Sequence, residues 1–152
     1  MRDNSWLKEQ LEFLLKNYFP DVKISNPIEI RFGREAKYRF GSIRLVKPRG
    51  LRGLVRLRGL GGKVPQKSII TITSLFARES IPFDVVRYTI CHELTHYAHG
   101  FSSQNKRLFK HPHHGGIVNK ELTRRGAEHL TATFKKWLKI YRKKILAGKT
   151  SV

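Results

Sequence analysis

The stretch PFDVVRYTICHELTHYAHG, residues 82–100, decides how the rest of the chain is interpreted. It contains the pattern H-E-x-x-H, formed by His92, Glu93 and His96. On a helix, two histidines four residues apart lie one above the other on the same face, so both imidazoles can bind one zinc ion. Glu93 lies beside that face, where its carboxylate can accept a proton from a zinc-bound water. The pattern therefore predicts a zinc-binding helix with a catalytic carboxylate.

The residues around this motif favour a helix. Pro82 suits a first helical turn, because its missing N–H would have no partner there, and Asp84 places negative charge near the positive end of the helix dipole. Gly100 is a suitable C-terminal stop. Apolar residues recur at helical spacing next to the face of His92 and His96 and predict a buried stripe: Val86, Ile90, Leu94 and Tyr97.

A catalytic zinc ion is held by three protein ligands and keeps one position for water, so a third ligand is needed. Residues 110–116, KHPHHGG, offer three histidines downstream of the helix: His111, His113 and His114. His114 is the favoured candidate, because the two glycines that follow it let the chain turn tightly beside a metal. A glutamate from a later helix is the other possibility, and Glu121 or Glu128 would serve.

The order H-E-L-x-H, a loop, an H-G pair and a further helix resembles the SprT-like (Spartan) zinc metalloproteases. Residues 69–75, a strand rich in β-branched residues before the zinc helix, fit that order, as do residues 121–126, ELTRRG. The resemblance covers about residues 25–130 and does not include the cysteine-rich zinc ribbon that some family members carry. It implies one Zn²⁺ ion bound by His92, His96 and His114, with Glu93 as the catalytic carboxylate.

The chain length suits one domain with its own core, so we expect a single domain over residues 1–152. The predicted fold class is α+β: an N-terminal helix capped by Asn4 or Ser5, a small and mainly antiparallel sheet, the H-E-x-x-H helix and C-terminal helices. Alternation at residues 28–32 and on a returning segment from Tyr38 predicts two antiparallel strands. The resemblance implies a minimal zincin-like domain, in which residues 70–73 offer a strand edge to an extended substrate.

The charge of the chain points to a polyanionic partner. There are 31 Lys and Arg residues against 11 Asp and Glu residues, a formal net charge of +20. Such a charge attracts nucleic acid, with ribosomal RNA, an anionic membrane surface or a generally basic surface as alternatives. Residues 44–67 contain no acid and are interrupted by glycines, so we expect either non-specific phosphate contacts to DNA or a solvated loop. The candidate nucleic-acid-binding residues are Arg44, Lys47, Arg49, Arg52, Arg56, Arg58 and Lys63.

The remaining features concern the cellular compartment and the assembly. Cys91 is the single cysteine, so no disulfide forms within the chain and a reducing compartment is expected. No apolar run approaches the length that spans a membrane, and no signal peptide is visible. We expect a cytoplasmic protein, associated with the nucleoid if prokaryotic, that acts as a monomer without a membrane partner.

Two functions follow from these patterns. The resemblance and the charge together suggest a zinc-dependent endopeptidase that acts on DNA-bound or DNA-crosslinked proteins. The alternative is a non-catalytic nucleic-acid-binding protein whose zinc is structural. Glu93 discriminates between the two, because a structural zinc site has no use for a carboxylate at that position.

Overall fold

A computed structural model describes residues 1–47 and 66–148 of the chain. Within these residues the fold is α+β, with four helices and one three-stranded mixed sheet. In chain order the elements are α1 (Asn4–Tyr18), β1 (Ile28–Phe32), β2 (Gly41–Val46), β3 (Lys67–Ile72), a 3₁₀ turn (Ser74–Ala77), α2 (Phe83–Ala98), a second 3₁₀ turn (His114–Gly116), α3 (Ile117–Arg124) and α4 (Glu128–Leu146).

The strand order β1-β3-β2 differs from the predicted sheet. β1 pairs in parallel with β3, and β2 pairs antiparallel with the other side of β3. The prediction that residues 28–32 pair with the returning segment was therefore wrong, and the sheet is mixed instead of mainly antiparallel. Tyr38 precedes β2 and lies outside any strand.

β3 takes the central place because its sequence is the most apolar of the three strands. Ser68, Ile69, Ile70 and Ile72 are all buried, as is typical of a strand covered on both faces. Since both edges of β3 are paired, the prediction that residues 70–73 offer a free edge to a substrate was wrong. The sheet edge next to α2 belongs to β2, which contacts that helix.

α1 contacts β1, and two residues at its start make separate hydrogen bonds, one that caps the helix and one to β1. The N-cap is Asp3, whose carboxylate accepts a hydrogen bond from Trp6 N at 2.9 Å, instead of the predicted Asn4 or Ser5. The side chain of Asn4 accepts a hydrogen bond from Phe32 N at 2.9 Å, so it ties the helix to the end of β1.

α2 is the central helix of the fold and carries the H-E-x-x-H residues. It contacts all three other helices as well as β2 and β3. The predicted stripe is confirmed, since Val86, Ile90, Leu94 and Tyr97 are almost fully buried. Pro82 is the N-cap, and the chain leaves the helix through Gly100, whose φ is +82°. None of the described helices is long and apolar enough to cross a membrane.

An aromatic cluster fixes the segment that leads into β2. Phe40 stacks on Phe76 with ring centroids 5.2 Å apart, and it meets the ring edges of three residues of α4: Phe134, Trp137 and Tyr141. Each contact of this kind adds about 0.5–1.5 kcal/mol beyond the burial of area. The residues on either side of Phe40 are therefore held in place beside α2.

Candidate metal centre and cleft

His92 and His96 occupy one face of α2, as their spacing predicts. Their ring centroids are 4.7 Å apart with the ring planes nearly perpendicular. The side chain of His96 is buried at 6% exposure, whereas that of His92 is partly exposed. The helix thus presents two imidazoles at the boundary between the core and solvent.

The third imidazole of this group is that of His113, whereas the sequence favoured His114. The Nε2 atom of His113 lies 3.1 Å from Nε2 of His92 and 3.0 Å from Nε2 of His96. His114 lies outside the group: its ring is exposed and stands 6.2 Å from the ring of His111, which is exposed as well. The structure therefore places the neighbouring histidine where the third ligand was expected.

The three histidines lie close enough together to hold one metal ion, since their ligand atoms are all within 4.8 Å of one another. Zinc binds imidazole nitrogen at about 2.0–2.1 Å in a tetrahedron, which puts neighbouring ligand atoms about 3.3 Å apart. The observed Nε2 separations of 3.0 and 3.1 Å are close to that value. The three imidazoles could therefore hold one metal ion at the wall of the cleft that these residues line.

The protonation of the cluster suits metal binding. Burial, together with the charge of the nearby His113, lowers the pKa of His92 to about 4. Burial also lowers the pKa of His96 to about 3, helped by the charges of the neighbouring histidines. Both rings are therefore neutral at pH 7 and can offer a lone pair. Nδ1 of His96 is buried without a hydrogen-bond partner among the described residues.

Glu93 lies beside the cluster, on the wall of the same cleft. Its side chain is buried at 5% exposure, and burial raises its pKa to about 7, although the charge of Arg39 acts in the opposite direction. The start of β2 presses against it: a Cβ added to Gly41 would lie 3.4 Å from Glu93 Oε1 and 2.8 Å from Thr89 Cγ2. The carboxyl thus has a pKa near neutral pH and is held between α2 and the start of β2.

Several contacts anchor the loop that carries His113, among them those of two residues outside the loop. The first is Asn26, whose Oδ1 accepts a hydrogen bond from Gln104 N at 2.9 Å. The second is His99, whose carbonyl accepts from Leu108 N at 3.0 Å and whose ring packs on Phe109. These contacts fix the path of the chain between α2 and the histidine cluster.

Glu121 supports the second anchor and does not join the metal group. Its Oε1 atom lies 2.9 Å from Nε2 of His99, and its other oxygen pairs with Arg124 and Arg125. Glu128 begins α4 and is exposed, away from the cleft. The two glutamates considered as ligands are therefore engaged or placed elsewhere.

Gly100→Ala is expected to lower the free energy of unfolding by about 2–5 kcal/mol, measured by denaturant titration. A Cβ at Gly100 would lie 2.4 Å from the carbonyl oxygen of Lys106 and 2.5 Å from the backbone N of Arg107. The left-handed φ alone costs about 1–2 kcal/mol, and the clash with backbone adds about 1–3 kcal/mol.

Gly126→Ala is the matched control, because Gly126 has a φ of +81° and a Cβ there would meet nothing within 4 Å. It should lose only the conformational contribution, about 1–2 kcal/mol. Equal losses in the two variants would contradict the close approach of the loop to the end of α2.

The metal centre lies in a cleft of about 550 Å³. One wall is the segment that enters β2, and the other is the loop after α2, with α2 between them. The lining includes Tyr38, Arg39, Phe40, Gly41, Ser42, Ile43, Tyr88, Thr89, Phe101, Ser102, Arg107, Pro112 and Phe134, together with the three histidines and Glu93. A volume of this size accepts an extended segment of a few residues.

Sequence reasoning missed Arg39 as a cleft residue and gave no role to the His99–Glu121 pair. These residues carry no motif, because they meet only through the packing of β2, α2 and the loop. Residues 101–110 form a basic segment between the H-E-x-x-H helix and the histidines, which the sequence predicts as a flap over the cleft, and two of them, Phe101 and Arg107, line the cleft.

The proposed nucleic-acid residues are only partly covered by the structure. Arg44 is exposed on the edge strand β2, and Lys47 is exposed just after it. The other candidates lie outside the described residues: Arg49, Arg52, Arg56, Arg58 and Lys63. Six cationic side chains are exposed along α4 and form a basic face there: Lys135, Lys136, Lys139, Arg142, Lys143 and Lys144.

Comparisons of the chain with family models, with curated proteins and with solved structures found no match. The fold and the site themselves define the class of the protein: an α+β domain with a three-histidine group that could hold a metal ion. The likeness to SprT-like proteases remains a resemblance carried by the sequence motif.

Proposed function

We propose that the protein is a zinc-dependent endopeptidase of the SprT-like type. The observation that carries the proposal is the convergence of three histidine Nε2 atoms beside a buried glutamate in an open cleft. His92, His96 and His113 would hold the ion. Zinc on three imidazoles supplies Lewis acidity, which acidifies water and stabilises negative charge on a carbonyl oxygen.

The residues of the chain perform the other tasks. Glu93 accepts a proton from the attacking water and passes it to the leaving amine, because its pKa near 7 lets it act in both directions at neutral pH. Within the described residues β2 is an edge strand beside the cleft, and its outer backbone groups can pair with an extended substrate. Main-chain pairing of this kind requires little sequence preference.

Removal of the metal tests this function. Proteolysis of an unfolded protein should stop when a chelator removes the ion, and stoichiometric Zn²⁺ should restore it. The metal-free protein should also unfold at lower temperature, because an ion present at 100 times its Kd stabilises the folded state by about 2.7 kcal/mol. Cleavage that continues after complete metal removal, confirmed by atomic absorption, contradicts a zinc-dependent mechanism.

We further propose that the substrates are proteins held on DNA. The net charge of +20 and the exposed basic face of α4 support this part. Binding to the same DNA raises the local concentration of the substrate, so the cleft itself does not need high affinity.

DNA affinity should fall steeply with salt, because each neutralised phosphate contributes a slope of about −0.9 in log Kobs against log[salt]. Replacing Arg49, Arg52, Arg56, Arg58 and Lys63 by glutamine should flatten that slope by several units. A second set of five glutamine substitutions removes the same charge from the α4 face and tests whether that face also contacts phosphate: Lys135, Lys136, Lys139, Lys143 and Lys144. An affinity that barely changes between 50 and about 200 mM salt would argue against phosphate contacts.

A further inference from the structure

The cleft beside the histidine cluster has an unequal distribution of charge. Among the described residues, two guanidinium groups line it, those of Arg39 and Arg107, against one carboxyl, that of Glu93. Glu93 is buried, whereas both arginines are exposed. The charge that a molecule entering the cleft meets is therefore positive, and a bound metal ion would increase it.

Arg107 is held close to the metal centre by two ring contacts. Its guanidinium carbon lies 4.8 Å from the ring centroid of Phe101, in a cation–π arrangement. The Phe101 ring in turn meets the ring of His96 edge-on, with centroids 6.3 Å apart. Stacking occupies the face of a guanidinium and leaves the N–H groups at its edge free. Arg107 can therefore still form a bidentate pair of hydrogen bonds with a carboxylate.

Arg39 belongs to the opposite wall, on the segment that enters β2. Its neighbour Phe40 is fixed in the aromatic cluster with Phe76 and α4, so the backbone of Arg39 has a defined place at the cleft. Two arginines thus flank the cleft, one from each wall, and α2 lies between them.

Neither arginine forms a close ion pair with an acidic residue in the part of the chain that the structure describes, although the charge of Arg39 acts on Glu93 and opposes the rise of its pKa. Other arginines in the same part do: Arg78 pairs with Glu35 at 2.9 Å, and Arg125 pairs with Asp21 at 2.6 Å. No carboxylate oxygen of the described residues lies within 4.0 Å of Arg39 or Arg107. The two cleft arginines are therefore available to a ligand.

We infer that the cleft selects peptide segments with an aspartate or glutamate beside the scissile bond, and that Arg39 and Arg107 bind these carboxylates. The inference rests on the proposed endopeptidase function and names its substrate class. It also fits substrates on DNA, since acidic segments of a DNA-bound protein are repelled by the phosphates and stay accessible.

A peptide is favoured over nucleic acid as the partner of these two arginines because of where they lie. A double helix is too broad for a cleft of about 550 Å³, whereas a single extended peptide fits a volume of that size. Arg107 also lies against the ring that contacts a metal ligand, where the reacting bond of a substrate would be placed.

The first experiment is cleavage of a randomised peptide library by the zinc-loaded protein, with the cut sites identified by mass spectrometry. Acidic residues should be enriched within two positions of the cut, by about tenfold over the matching amides, and less at high salt. Arg39→Gln and Arg107→Gln should each reduce the enrichment several-fold. Arg142→Gln removes the same charge from the exposed face of α4 and should leave the enrichment unchanged.

The second experiment separates failure of the inference from failure of the proposed function. Fluorescence anisotropy would measure the binding of ten-residue labelled peptides, with a central Asp-Asp or Asn-Asn pair, to the zinc-loaded Glu93→Gln protein. Cleavage without preference for acids overturns the inference and keeps the endopeptidase. Equal binding of the two peptides also overturns it, even if no cleavage is seen. Single-stranded DNA that competes with the acidic peptide, and loses affinity in the Arg39 and Arg107 variants, would assign these residues to phosphate instead.

Discussion

The Glu93→Gln variant is expected to lose proteolysis by about 1,000-fold while it keeps one zinc ion per chain. A positioned general base contributes about 10²–10⁴-fold to the rate, and glutamine keeps the size of the side chain but cannot accept the proton. The three histidines that hold the ion are unchanged, so metal content should stay constant. Initial rates on a DNA-bound protein and zinc content by atomic absorption measure the two quantities.

Glu128→Gln is the matched control, because Glu128 is exposed on α4 and its loss changes the charge by the same amount. It should retain full activity. A Glu93→Gln protein that digests the substrate as fast as the wild type would remove the catalytic interpretation and leave the nucleic-acid-binding alternative.

The same substitution also has an expected effect on stability. In the metal-free protein, burial raises the pKa of Glu93 from 4.5 to about 7, so the folded state binds its proton more tightly than the unfolded state does. The free energy of unfolding therefore decreases as pH rises from about 4.5 to 7, by on the order of 3 kcal/mol for this group. Glu93→Gln should remove this contribution. The metal-free variant should be more stable than the metal-free wild type at pH 8, measured by urea unfolding.

The helix of the site was predictable because its signals are local. Pro82, Gly100 and an apolar stripe with a helical period all lie within one short stretch, and the structure confirms each of them. The break between α3 and α4 was predictable for the same reason, since Gly126 adopts a φ of +81° there.

The sheet was not predictable from local alternation, because strand order depends on contacts between distant residues. β1 and β2 each carry a pattern that fits a hairpin, but β3 lies between them. The most apolar strand takes the centre, where both faces and both edges are covered, and this preference outweighs proximity in the chain.

The choice between His113 and His114 was not predictable for a related reason. Adjacent residues of an irregular loop point in different directions, and no periodicity says which one faces the helix. The direction is set by the contacts of the loop with distant elements, through His99 and Asn26, and by the left-handed turns at Gly115 and Gly116. The sequence identifies the two glycines as the turn. It places the third histidine of the group directly before Gly115, whereas His113 is separated from Gly115 by His114.

His113→Ala is expected to weaken zinc binding by more than about 100-fold, because loss of even an outer partner of a ligand typically costs 10–100-fold. The effect should appear in competition with a chromophoric chelator at neutral pH. His113 is exposed, so its truncation leaves no cavity, and the stability of the metal-free protein should be unchanged. A wild-type-like urea midpoint without metal, together with loss of the zinc-induced shift in Tm, assigns the effect to ligation.

His114→Ala and His111→Ala are controls that the chain itself provides, with the same chemical change one and two residues away. Both rings are exposed and outside the group of three, so zinc affinity should stay within about twofold of the wild type. Loss of the metal in His114→Ala but not in His113→Ala would contradict the assignment of His113. It would mean that the loop is shifted by one residue, so that His114 completes the site instead. The comparison therefore tests the step on which the function depends: whether a histidine from the loop after α2 completes a three-histidine metal site at the cleft.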